Sequence, residues 1–116
     1  MPHIIIEFAK PLLICEDDTH NLLHAVHNAA GATELFEPQN IKTRAIPVDY
    51  YCVADGTKSF IHVQLRMHRG RTDAQKRLLT QAIRDAIVQQ NLQADVITVE
   101  VVDMDKSTYA KHALNI

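Results

Sequence analysis

Apolar residues alternate with polar ones in some stretches of the chain and recur every three to four residues in others. Alternation predicts β-strands over residues 3–8, 41–53, 58–69 and 95–104, because successive side chains of a strand point to opposite faces. The helical spacing predicts one α-helix between the first two strands and another between the last two.

Both predicted helices have recognisable ends. Asp18 or Thr19 is expected to cap the first helix, which runs to about Ala30 and ends at Gly31. The second begins at a capping box, Thr72-Asp73-Ala74-Gln75, in which side chains satisfy the first free N–H groups. The predicted buried faces are Leu22, Leu23, Val26, Ala29 and Ala30 in the first helix, and Ala74, Leu78, Leu79, Ala82, Ile83, Ala86 and Ile87 in the second.

Two breaks in the pattern bear on how the strands pair. Pro47 lacks an N–H group, so it indicates a bulge or an edge position for the second strand. The segment Ala54-Asp55-Gly56 predicts a hairpin turn between the second and third strands.

The predicted order is strand–helix–strand in each half, which is typical of two β-α-β units with parallel strands. Residues 1–116 are therefore interpreted as a single domain of pseudo-repeats 1–55 and 56–105 with a C-terminal tail, 106–116. The fold class is α+β, a layered arrangement of a four-stranded sheet with two helices on one face.

The last strand is apolar on both of its faces. Ile97, Val99 and Val101 share one parity, and Val96, Val102 and Met104 share the other. Because two helices cover only one face of the sheet, the pattern predicts an oligomer in which the bare sheet faces pack together.

Composition narrows the function classes. A length of 116 residues suits one domain, and a net charge of −2 without a basic block argues against a nucleic-acid partner. No apolar run approaches the roughly 20 residues that a membrane-spanning helix needs, and no signal peptide is evident. Cys15 and Cys52 have no disulfide or metal spacing, which favours reduced thiols in a cytoplasmic protein.

Pro2 is the first candidate for chemistry. If Met1 is removed, Pro2 becomes a secondary amine at the head of a strand. An α-amino group has a pKa of about 7.7–8.0, and nearby cations lower it towards the range of a general base. The alternative is a proline that is merely tolerated before a strand.

Two arginines and three histidines complete the candidates. Arg71 lies between a strand end and a helix start, and Arg44 shares parity with apolar neighbours, so both suit a dicarboxylate if they converge. The alternative for Arg71 is an ordinary loop arginine whose side chain is solvated.

His20, His24 and His27 share a helix face, but no acidic or cysteine ligand accompanies them, so no metal site is predicted.

The segment Gly70-Arg71-Thr72-Asp73-Ala74-Gln75-Lys76 resembles the strand–helix turn of 4-oxalocrotonate tautomerase and its relatives. Over nearly its full length the chain resembles the 5-carboxymethyl-2-hydroxymuconate isomerase family of that tautomerase superfamily. The further similarities are the start Met1-Pro2-His3, the stretches Arg44–Asp49 and Ala54–Gly56, Phe60-x-His62-Val63, and His112-Ala113-Leu114.

The resemblance implies a duplicated β-α-β tautomerase fold with a mixed sheet, assembled as a homotrimer. It implies cofactor-independent ketonisation of a dienol dicarboxylate such as 5-carboxymethyl-2-hydroxymuconate, in the homoprotocatechuate branch of aromatic compound catabolism. By the same resemblance Pro2 is the catalytic base, Arg44 polarises the substrate oxygen and Arg71 binds a carboxylate.

Aligning the two halves by pattern suggests one composite site for each chain. The places of Pro2, Arg44 and Arg71 fall in the opposite half near Ile61, Glu100 and Leu12. Lys42 and the His68-Arg69 pair depart from the family pattern and bear on substrate identity. Two alternatives to the isomerase remain: another proline-dependent reaction of unsaturated acids, and a non-catalytic binder of small acids.

Overall fold

The computed structural model describes residues 2–114. Its main elements are β1 (His3–Ala9), α1 (Glu16–Ala32), β2 (Lys42–Val48), β3 (Phe60–His68), α2 (Asp73–Gln89) and β4 (Val96–Met104). Short 3₁₀ helices lie at Lys10–Leu12, Pro38–Asn40 and Lys106–Thr108. Met1, whose removal the proline hypothesis requires, lies outside the described residues, as do Asn115 and Ile116.

The four strands form one mixed sheet in the order β2-β1-β3-β4. β1 and β2 are parallel, β3 and β4 are parallel, and the two pairs join through an antiparallel contact between β1 and β3. The predicted fold class, a four-stranded mixed sheet with two helices, is thereby confirmed. Pro47 lies in β2, an edge strand, where its missing N–H group costs no ladder hydrogen bond.

The predicted hairpin is wrong. A turn does occupy the Ala54–Gly56 region, with positive φ angles of 54° at Ala54 and 91° at Gly56. However, β2 and β3 lie on opposite sides of β1, and β2 ends at Val48 rather than at residue 53. Parallel pairing with β1 occupies the inner edge of β2, so the chain must cross the sheet before β3 begins.

The hydrophobic core lies between one face of the sheet and both helices. In β3 the buried residues alternate strictly with partly exposed ones, and the side chains of Ile61, Val63 and Leu65 have no exposed surface. The core is completed by Ile4, Ile6 and Phe8 of β1, Leu22, Val26 and Ala30 of α1, and Leu79, Ile83 and Ile87 of α2.

The start of α2 agrees with the sequence prediction, whereas the ends of α1 and part of the predicted buried face of α2 differ from it. The capping box of α2 is present as predicted, with both Thr72 and Gln75 side chains bonded to backbone N–H groups. α1 begins two residues before Asp18, because Cys15 takes the capping position, and it runs past Gly31 to Ala32. Leu78 was predicted to be buried, but its side chain is 51% exposed since it points away from the sheet.

The second sheet face carries no helix; we call it the open face. Ile46 and Val96 are exposed on it, and Ile5 and Val102 are partly exposed. Polar groups share the face: the His62 ring contacts Thr98 Oγ1 and Glu100 Oε2, both at 2.7 Å.

Cys15 and Cys52 are exposed free thiols. Within residues 2–114 no helix is both long and apolar enough to cross a bilayer.

Candidate active site

One end of the sheet collects the residues singled out from the sequence. Because β1 and β3 are antiparallel, the start of β1 lies beside the end of β3, and the start of β2 lies on the other side. Pro2 immediately precedes β1, its ring is fully buried, and its carbonyl accepts a hydrogen bond from Lys42 N at 3.0 Å. The β1–β3 register, extended by one residue from the His3–Arg66 pair, places Pro2 opposite Met67.

Arg71 approaches the same end from the loop between β3 and α2. Gly70 has a φ of 122°, a backbone conformation that favours glycine, and it turns the chain out of the strand. The Arg71 guanidinium donates from Nη2 to the Leu35 carbonyl at 2.7 Å and lies over the Phe36 ring, 5.5 Å from its centroid. These contacts fix the arginine at the start of α2, where the helix dipole also favours anions.

A small, strongly basic pocket opens beside Arg71. Its volume is about 150 Å³, and it is lined by Phe36, Met67, His68, Arg69, Arg71 and Lys106. Arg69 is paired with Asp105 at 3.7 Å, whereas Arg71 and Lys106 form no ion pair with any residue between 2 and 114. Two uncompensated cations in a pocket of this size suit a carboxylate group.

Arg44 lies on the open face, two residues into β2, and is exposed. Its Nη1 atom lies 3.5 Å from His3 Nδ1. His3 Nε2 in turn lies 2.8 Å from the Tyr109 hydroxyl, and the Tyr109 ring packs edge-on against His68, with centroids 5.2 Å apart. Arg44 therefore connects to the basic pocket through three aromatic side chains.

Burial and nearby cations favour the neutral form of both histidines of this connection by lowering the pKa of each. Burial lowers the pKa of His3, and the adjacent Lys42 and Arg44 lower it further. Burial also lowers the pKa of His68, with a contribution from Lys106 and Arg71. His68 Nδ1 is inaccessible to solvent and has no hydrogen-bond partner in the described part of the chain.

Sequence reasoning identified three residues that lie at this end and missed several others. His3 and His68 entered the sequence analysis only through the resemblance, without a role, and Lys106 and Tyr109 did not enter it. The available signal was topological: β4 ends beside His68, so residues just after Met104 must leave the sheet at the Pro2 end.

The three histidines on α1 do not form a metal centre. His27 Nδ1 is engaged with Thr43 Oγ1 at 2.8 Å. No group of three or more histidine, cysteine or acidic side chains in the region 2–114 is arranged to hold a metal ion.

Comparison with known proteins gives a family. A model described as 5-carboxymethyl-2-hydroxymuconate isomerase matches residues 2–114. No curated protein sequence matches the chain.

Solved structures agree with the fold. A 5-carboxymethyl-2-hydroxymuconate delta-isomerase has a TM-score of 0.73 at 23% identity, covering 97% of this chain and 89% of that one. A 5-carboxymethyl-2-hydroxymuconate isomerase from Deinococcus radiodurans R1 has a TM-score of 0.73 at 20% identity, covering 96% and 88%. A fused 4-OT wild type, an asymmetric trimer, has a TM-score of 0.81 at 13% identity, covering 94% and 91%.

Proposed function

The chain belongs to the 5-carboxymethyl-2-hydroxymuconate isomerase family and is an isomerase, and from this premise we propose that it ketonises a 2-hydroxymuconate-type dienol dicarboxylate with Pro2 as the proton-transfer base. The proposal extends to a homotrimeric, cytoplasmic enzyme of aromatic compound catabolism that needs no cofactor. The observation that carries it is the position of Pro2 beside a basic pocket that holds Arg71 and Lys106.

Proton transfer begins at the Pro2 nitrogen, which is a secondary amine once Met1 has been removed. The neutral amine takes the proton of the substrate 2-hydroxyl, the conjugated double bonds shift towards a ketone, and the amine returns a proton to the distal carbon. The reaction is a tautomerisation, so protons and electrons balance without a co-reactant. Burial of the ring and the nearby cations both disfavour a charged amine, so the nitrogen is neutral and able to accept a proton near neutral pH.

The two arginines divide the remaining work. Arg44 stabilises negative charge that develops on the substrate oxygen, a contribution that often exceeds that of proton transfer itself. Arg71 binds the remote carboxylate in the basic pocket and fixes the orientation of the substrate. Because Arg44 lies on the open face, which we propose to be covered in the trimer, the complete site is expected at a subunit boundary.

The test is the variant Pro2→Ala, purified with Met1 removed as shown by intact mass. Loss of the ring amine is expected to lower kcat for ketonisation of 2-hydroxymuconate by about 10²- to 10⁴-fold, the usual contribution of a general base. A second form that retains Met1 has an amide at position 2, and it is expected to be equally inactive. Unchanged turnover in both forms contradicts the proposal, and tight binding of a dicarboxylate without turnover by the wild type indicates a binding protein instead.

A further inference from the structure

We propose that Tyr109 is a positioning residue of this site: its hydroxyl fixes His3, and His3 in turn orients the Arg44 guanidinium towards the substrate oxygen. The inference deepens the proposed function and rests on it for the role of Arg44. It assigns a purpose to the C-terminal tail, which places Tyr109 at the Pro2 end of the sheet.

The geometry is a chain of three side chains, Arg44, His3 and Tyr109. The Tyr109 ring at its end packs edge-on against His68. Tyr109 Oη lies 2.8 Å from His3 Nε2, and His3 Nδ1 lies 3.5 Å from Arg44 Nη1. The Tyr109 ring is held edge-on against His68 at 5.2 Å and meets His3 at 6.0 Å. Tyr109 therefore bridges the end of β3 and the start of β1.

The direction of the hydrogen bonds follows from Arg44, because a guanidinium only donates. His3 Nδ1 must accept from Arg44, so the neutral imidazole carries its proton on Nε2. That N–H group then donates to the Tyr109 oxygen. A single tautomer satisfies both contacts: Arg44 sets it, and the Tyr109 oxygen holds the resulting Nε2–H group in place.

The surroundings of His3 disfavour an imidazolium. The groups beside it are Lys42 and Arg44 from β2, Arg66 from β3, and Tyr109 from the tail. None of these is a carboxylate. Protonation of Nδ1 would also set an N–H group against the Arg44 N–H and release the arginine.

The tail is built to hold this position. Asp105 caps the 3₁₀ helix Lys106–Thr108, with Oδ1 accepting from Ser107 N at 3.0 Å and from Ser107 Oγ at 2.8 Å. Tyr109 follows this rigid turn directly. Its side chain is therefore presented to His3 by a fixed backbone rather than by a free chain end.

The experiment compares Tyr109→Phe with wild type, using the processed, full-length enzyme. Phenylalanine keeps the ring contact with His68 and removes only the hydroxyl. We expect kcat for 2-hydroxymuconate ketonisation to fall about five- to tenfold with little change in KM and in thermal midpoint. Tyr50→Phe is the matched control, since Tyr50 is 95% exposed and the same atom is removed.

Two further readouts separate positioning from a general structural role. In a His3→Gln background, Tyr109→Phe is expected to cause no further loss, because the tyrosine acts through the histidine. Nitrogen chemical shifts of the His3 ring are expected to show one Nε2–H tautomer in wild type and a mixture in Tyr109→Phe. Wild-type kcat in Tyr109→Phe, an equal loss in the His3→Gln background, or an unchanged tautomer overturns the proposal.

The tautomer measurement needs no turnover. If wild type fails to isomerise hydroxymuconate but the tautomer responds to Tyr109→Phe, the hydrogen-bonded connection stands and the proposed function fails. If turnover is present and the tautomer does not respond, the function stands and the role of Tyr109 fails.

Discussion

Arg71 illustrates how one side chain is prepared for an anion by its non-ionic contacts. One N–H group is used on the Leu35 carbonyl and one face of the guanidinium lies on Phe36. Within residues 2–114 the remaining N–H groups have no partner, and no carboxylate of that range neutralises the charge. The side chain is thus oriented in advance, so less conformational entropy is lost when a substrate binds.

The variant Arg71→Gln is expected to raise KM for a dicarboxylate substrate by about 10- to 100-fold. A hydrogen bond to a charged group contributes about 1.5–3 kcal/mol, and glutamine keeps a polar amide while removing the charge and the reach of the guanidinium. A smaller change in kcat is expected, because the arginine binds a remote carboxylate rather than the reacting oxygen. Steady-state kinetics provides the measurement.

Arg84→Gln is the control for that prediction. Arg84 lies on α2, is exposed, and pairs only with the adjacent Asp85 at 3.0 Å. An equal rise of KM in both variants would point to general electrostatic attraction and contradict a specific role for Arg71.

At the level of single residues, the sequence indicated the groups that carry unusual chemistry and missed those that act through contacts. A proline in second place and an arginine after a turn glycine are visible as residue types in a position. His3, His68 and Tyr109 are ordinary residues whose importance arises from a meeting of three distant segments. The contact between these three segments depends on the order of the strands in the sheet, and the spacing of residues within one segment does not predict that order.

Among the elements, α1 has the weaker start. Its cap is Cys15, whose sulfur accepts from Asp18 N at 3.5 Å, and thiols are poorer acceptors than hydroxyls. Cys15→Ser is therefore expected to stabilise the protein by about 0.5–1 kcal/mol, because serine is a favoured N-cap residue. Urea unfolding measures the change.

Cys15→Ala is the companion variant for the helix start. It removes the acceptor altogether and is expected to leave stability equal to or below that of wild type. If serine and alanine have the same effect, the cap at position 15 does not contribute to stability.

Predicting elements succeeded where local forces decide the outcome. Alternation in β3 and the capping box of α2 are properties of a few neighbouring residues, and both appear as expected. The hairpin at Ala54–Gly56 failed because a local turn can join strands that are not neighbours. Leu78 failed because a helix on one sheet face buries a narrower stripe than its apolar residues suggest.

The two halves of the chain share the same order of strands and helix but carry different residues at the positions of the proposed site. Counting from the first residue of each strand and helix, the counterparts of the three proposed site residues fall slightly away from the places aligned by pattern. The counterparts of Pro2, Arg44 and Arg71 are Ser59, Thr98 and Ile14. None of them is a proline or an arginine, which agrees with one proposed site for each chain.

At the scale of the whole molecule, the open face is the surface that we expect other subunits to cover. Its exposed apolar residues, Ile46 and Val96, lie on the surface that we propose to be covered in the trimer. If this chain assembles through the same face, Val96→Glu is expected to reduce the mass in solution from that of three chains towards one. Size-exclusion chromatography with light scattering measures it.

Leu78→Glu is the control for the assembly prediction. Leu78 is also an exposed apolar residue, but it lies on the outer surface of α2. Its variant is expected to retain the assembly of wild type. A trimer that survives Val96→Glu would show that the subunits meet elsewhere.

The contact between His3 and Tyr109 joins residues 106 positions apart. Closing so long a loop costs more entropy than any pairing within one half, so this contact is expected late in folding. The sheet is thus expected to form before Arg44 is ordered, and loss of the tail contact alone is expected to disable the proposed site while the sheet stays intact.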